Sequence, residues 1–156
     1  MIEEALRRAQ ALARLGRCHA GHLVGVAREA LHAGHDTPAL CELAMLDPAA
    51  PLADASQLLL QAADELKLPR IGDDEALEVI LWEPARRIAR EMLEGKRRVF
   101  DGAKALDAMF CESQHPPELR DFDYVVSMLD AEVIINLDVP KLERFAIDAA
   151  LRLLQK

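Results

Sequence analysis

No run of eighteen apolar residues occurs anywhere in the 156-residue chain, so no membrane-spanning helix is expected. The opening residues, Met1 to Arg8, alternate charge within an apolar frame and lack the unbroken apolar centre of a signal peptide. Cysteine is scarce. Cys18, Cys41 and Cys111 are odd in number and widely spaced, which argues for reduced thiols and a cytoplasmic location rather than a disulfide framework. Bases are outnumbered, 19 Lys and Arg against 27 Asp and Glu, and a net charge of −8 opposes direct nucleic-acid binding, which needs cations for phosphates. There is no Gly-rich phosphate loop, no His-Glu-x-x-His and no Gly-x-Ser-x-Gly, so neither a cofactor nor a known catalytic constellation is expected.

What remains is an apolar fraction of 51% with 29% charged residues, an ordinary globular composition long enough for one domain with its own core. Few residues are β-branched and no Asn-Gly or Asp-Gly turn separates alternating apolar runs, so the fold class is all-α: a bundle of about eight helices, some short. The first helix covers Ile2 to Leu15 and stops at Gly16. The second covers Gly21 to His32, with Leu23, Ala27, Ala30 and Leu31 as its stripe and Gly34 as its stop. Asp36-Thr37-Pro38 places a capping side chain directly before a Pro at the first helical position. A helix over Asp54 to Leu66 aligns Leu58, Ala62 and Leu66. Leu68 to Gly72 is the clearest connector, and leaves open a division into sub-halves 1–68 and 73–156. Pro84 interrupts the run from Asp73 to Glu94, which predicts a kink or two abutting helices near Trp82-Glu83. A helix around Phe100 to Cys111 is broken at His115-Pro116-Pro117, and another runs from Glu118 to Ile134. Asp138 caps the last helix, on which Leu142, Phe145, Ala146, Ala149 and Leu153 are expected to be buried.

Four of the five histidines, His19, His22, His32 and His35, fall in one window, with Cys18 and Cys41 just outside it. Zinc favours these ligand types. On one continuous helix, however, His22 and His32 would lie about 15 Å apart along the axis and point about 80° apart. No metal is therefore expected, and His32 and His35 are read as partners of a helix C-terminus. Cys111 and His115 are four apart, but Cys111 lies near a helix C-terminus beside Glu112, where a thiolate is disfavoured. The bases Arg86, Arg87, Arg90, Lys96, Arg97 and Arg98 suit helix ends or internal pairing with acids; without interleaved aromatics they make a weak RNA site.

The most informative segment is Glu112 to Asp138. Seven acids and one base, Arg120, supply a charge of −6 out of the net −8. Projected on a helix, Phe122, Val126, Leu129 and Val133 form the core face, with Leu119 and Val125 at its edges. Asp123 and Asp130 flank that face on one side; Glu118, Asp121 and Glu132 flank the other. The opposite face carries Arg120, Tyr124, Ser127, Met128 and Ala131, with the chain's only Tyr. Two readings stay open. Another helix, such as the last, covers this face, or it is an interface anchored by Tyr124 whose carboxylates steer a basic protein partner.

The block from Ala27 to Leu46, with its Gly stop, its Thr-Pro-Ala-Leu helix start and its Glu-Leu-Ala ending, resembles a pattern in small all-helical bacterial proteins of unassigned function. The step from Leu93-Glu94-Gly95 to Phe100-Asp101-Gly102-Ala103 resembles their helix–Gly–helix step. These motifs are caps and turns and bring no active residue with them. In its physics alone, an acidic helix bearing an exposed Tyr is similar to immunity proteins that cap nuclease toxins. The expectation is a cytoplasmic binding module of the immunity or antitoxin kind, whose basic partner is a toxin. The competing expectation is an enzyme or small-ligand binder with a pocket near Trp82, Glu83, Arg86, Arg87 and Arg90.

Overall fold

The computed structural model describes residues 1–131 and 136–156, and every regular element among them is helical. They form two compact units, Met1–Ile80 and Leu81–Lys156. The break falls inside the Pro-interrupted run rather than at the Leu68–Gly72 connector.

The first unit contains α1 (Ile2–Arg14), α2 (Ala20–His32), α3 (Pro38–Met45), α4 (Leu52–Glu65) and the short α5 (Asp73–Leu77). Their boundaries follow local chemistry. Both α1 and α2 end in a reversed turn with a glycine at positive φ, 63° at Gly16 and 90° at Gly34, which a side chain would strain. Beyond each glycine an amide bonds back to the last turn, Arg17 to the Leu12 carbonyl and His35 to that of Ala30. Thr37 caps α3 through its hydroxyl, which accepts from the Leu40 amide at 3.3 Å, and Pro38 follows in the first turn. Leu23, Ala27 and Ala30 of α2 pack with Leu40 and Leu43 of α3 and Leu59 of α4. On α4 the buried face is Ala55, Leu59, Ala62 and Ala63, one position around from the expected stripe. Leu58 and Leu66 are only partly buried at its edge. Small alanines let the helices approach, so the leucines are displaced to the flanks.

Between Leu77 and Glu83 the chain makes a π-helical turn, Glu78–Trp82. Pro84 has no amide hydrogen for the carbonyl four residues back, and the wider turn accommodates that missing bond and the ring. The expected disruption near Trp82-Glu83 thus takes the form of a π turn passing into a new helix.

The second unit is built from α6 (Glu83–Leu93), α7 (Val99–Glu112), α8 (Arg120–Asp130) and α9 (Val139–Leu154), with a 3-10 turn at Pro117–Leu119 leading into α8. Its core joins Ala85, Ala89 and Met92 of α6 to Leu106 and Phe110 of α7, Phe122 and Val125 of α8, and Leu142, Ala146 and Leu153 of α9. The sole Trp, Trp82, packs against this core from its edge. Asp138 caps α9 by accepting from the Lys141 amide at 3.1 Å. Phe145 departs from expectation, being only partly buried. It stands at the core's margin against Tyr124 rather than inside it.

Candidate functional site

Helix α8 is buried through Leu119 before it and through Phe122 and Val125. Val126 and Leu129 are half-buried, so the core face is rotated toward Val125 relative to the sequence projection. Val133, Ile134, Ile135 and the candidate residue Glu132 lie outside the described residues. The opposite face is partly open. Tyr124 remains 49% exposed, while one edge of its ring meets Phe145 of α9 at a centroid distance of 5.3 Å and an interplanar angle of 65°. Met128, one turn on, packs at the margin of the core. Helix α9 therefore covers one flank of this face and leaves its crest exposed.

The carboxylates around α8 form two different groups. On the α9 flank they are paired: Arg152 donates to Asp121 at 2.9 Å, and the Lys156 ammonium lies 3.8 Å from Glu118. The Arg152 guanidinium also sits 6.0 Å from the Phe145 ring centroid, completing a strip from Asp121 to Phe145. Such exposed pairs add little stability, but they cancel local charge. On the α7 flank no Lys or Arg among the described residues pairs with Asp123 or Asp130, and both act on Asp107 of α7. Burial pushes the Asp107 carboxyl above the usual range, and the charges of Asp123 and Asp130 push it further. The acidic frame expected around the whole helix is thus concentrated on one side.

A pH dependence follows. With its folded pKa raised, Asp107 binds its proton more tightly in the native state than in the unfolded chain, so its charge opposes folding at neutral pH. Asp107→Asn should raise the melting temperature at pH 7. The gain should shrink as pH falls through the raised pKa and vanish below the ordinary carboxylate value, where both states are protonated. A gain that persisted unchanged at pH 3 would contradict this origin.

Cys111 lies one turn along α7 from Asp107, its sulfur 3.9 Å from the Asp107 carboxylate. Burial and the charges of Asp107, Asp123 and Glu112 all hold its thiol above the usual value, opposite to what a nucleophile needs. The His115 ring instead packs edge-on to Phe110 at 4.8 Å. The four clustered histidines do not converge with the cysteines: among the described residues no group of three or more His, Cys, Asp or Glu is placed to hold a metal ion. His32 lies at the end of α2 with Nδ1 2.7 Å from the Arg28 carbonyl oxygen, to which it donates when Nδ1 carries the proton.

The residues of the alternative site line up along α6. Arg87, Arg90 and Glu83 are exposed, Arg86 is partly so, and Trp82 turns toward the core. Glu83, Arg86, Arg87 and Arg90 form an outward row opposite Ala85, Ala89 and Met92, and Trp82 does not join it. Farther along, Arg97 pairs with Glu91 at 2.7 Å and Lys96 with Glu94 at 2.6 Å. Lys96 and Arg97 therefore meet acids of their own segment, while α9 meets only Asp121 of α8 and Glu118 just before it.

One feature had no signal in the sequence. A cleft of about 250 Å³ opens between α8 and the start of α9, lined by Tyr124, Met128, Leu137, Leu142 and Phe145 together with the polar Asn136, Asp138 and Lys141. Its walls come from positions separated by the α8–α9 connection, and neither helix alone displays it. No helix among the described residues is long and apolar enough to cross a membrane. Compared with known proteins, the chain matches no family model, no curated protein and no solved structure.

Proposed function

We propose that the chain is a protein-binding module for a basic partner, acting in the cytoplasm as an immunity- or antitoxin-type inhibitor of a toxin. The observation that carries this reading is the exposed Tyr124 on the same helix as Asp123 and Asp130, which no Lys or Arg among the described residues pairs with. An amphipathic ring whose polar tip faces water is a common binding anchor, and an uncompensated acidic flank accelerates encounter with a cationic surface. The net charge of −8 supports the same choice of partner.

The direct test is co-expression and co-purification with the product of the gene immediately upstream. A salt-sensitive complex that suppresses that product's toxicity is the expected result. A basic upstream product that neither binds nor is inhibited would sink the immunity reading.

Substitutions separate the roles. Tyr124→Ala should lower stability by only about 1 kcal/mol, since it loses one edge-to-face aromatic contact at a half-exposed site. It should weaken partner binding by about 2 kcal/mol or more. Asp123→Asn and Asp130→Asn should slow association and flatten its salt dependence while leaving dissociation nearly unchanged. A loss of several kcal/mol of stability in Tyr124→Ala, measured without any partner, would mark a packing residue and remove the anchor from this reading.

A further inference from the structure

The cleft and the carboxylates of Asp123 and Asp130 lie on opposite flanks of one helix. Tyr124, Met128 and the cleft face α9, whereas Asp123 and Asp130 face α7 and Asp107. An α-helix with its side chains is about 10–12 Å across, so a single partner element that used both features would have to cross the crest of α8. The cleft's volume of about 250 Å³ exceeds the roughly 150 Å³ that accepts a benzene ring, which is room for one bulky apolar side chain. Lys141 and Asp138 also line the cleft, and no ion pair joins Lys141 to a carboxylate among the described residues. With Asp138 beside Lys141, the α9 side is close to balanced in charge. The α7 side carries Asp123 and Asp130 with no Lys or Arg pairing them among the described residues, so a cation is favoured beside α7.

We propose that the α8 crest docks a basic amphipathic helix of a partner protein, which seats one large apolar side chain in the Tyr124–Phe145 cleft and places Lys or Arg about 10 Å away against Asp123 and Asp130. The proposal rests on the reading of the chain as a module for a basic partner and adds the site and orientation of docking. Two helical turns span about 10 Å, so anchor and cation stand two turns apart on the docked helix. Charge complementarity selects this occupant over a second copy of the chain, because two copies of an acidic flank repel. Asp121 and Glu118 contribute little to the attraction, since Arg152 and Lys156 already neutralise them.

The test uses the intact chain, labelled for amide NMR, and three helical peptides. The first carries one Trp with a pair of Arg two turns away; the second has Glu in place of Arg; the third has Ala in place of Trp. The first should shift the amides of Tyr124, Met128, Leu137, Asp123 and Asp130 together. The second and third should bind at least about tenfold more weakly, the order of one lost charge pair or anchor. Asp123→Lys combined with Asp130→Lys should reverse the preference between the first and second peptides while keeping the need for Trp. Equal binding of the Arg and Glu peptides, shifts confined to another surface, or no binding at millimolar peptide would each overturn the proposal. A basic upstream gene product that bound unaffected by the double Lys variant would leave the general reading standing and remove only this docking site. Peptides seated in the cleft without any binding of that product would do the reverse.

Discussion

Phe122→Ala is expected to lower the stability of the second unit by about 3–5 kcal/mol, the cost of deleting a fully buried aromatic ring. Among the described residues Phe122 is the largest side chain with no exposed surface, and the core around it is assembled from four helices. Little collapse can fill the gap it would leave. Leu106 of α7 and Ala146 and Ala149 of α9 are buried in the same core, so the walls of the gap belong to helices already packed together. The sole Trp gives a local readout, because Trp82 packs against this same core. A urea titration followed by Trp fluorescence should show a midpoint moved far down with little change in slope. A midpoint within error of the parent would show that the Phe122 ring is not enclosed.

Much of this architecture could be read from local chemistry, because caps and stops act within a few residues. Thr37 before Pro38, Asp138 before Pro140 and the glycines at 16, 34 and 95 all sit where helices begin or end. Faces were harder. On α4 the spacing of the large side chains points to Leu58 and Leu66, whereas the packed surface is mostly alanine, selected by how closely neighbouring helices approach. On α8 the projection centres on Val126, whereas Val125 is the buried residue and Val126 only half-buried. The candidate site was legible only in part. Tyr124, Asp123 and Asp130 could be placed on one helix by spacing alone, but the pairing of Asp121 with Arg152 and of Glu118 with Lys156 depends on how α9 packs. No periodicity within either segment encodes that contact. It is what turns an evenly acidic helix into one with a neutral flank and a charged one.

The largest effect should come from ending the chain at Asp138, which removes α9 and with it Leu142, Ala146, Ala149, Ala150 and Leu153 from the core. Those residues close the second unit against α6, α7 and α8, so their loss exposes a broad apolar surface rather than trimming an arm. The truncated chain should lack a cooperative transition by Trp82 fluorescence and should show the red-shifted emission of a solvated indole without denaturant. The three remaining helices still touch one another, but the faces of Ala85, Leu106 and Phe122 that meet α9 would be left open to water. Phe145→Ala in the full chain supplies the contrast. Because that ring is only partly buried, between Tyr124 and Arg152, its removal should cost well under the roughly 3–5 kcal/mol of an enclosed aromatic, leaving the second unit folded. Native Trp82 emission and an intact melting transition in the truncated chain would make α9 a detachable element. The cleft it forms with α8, and the neutralisation of Asp121, would then be incidental to the fold.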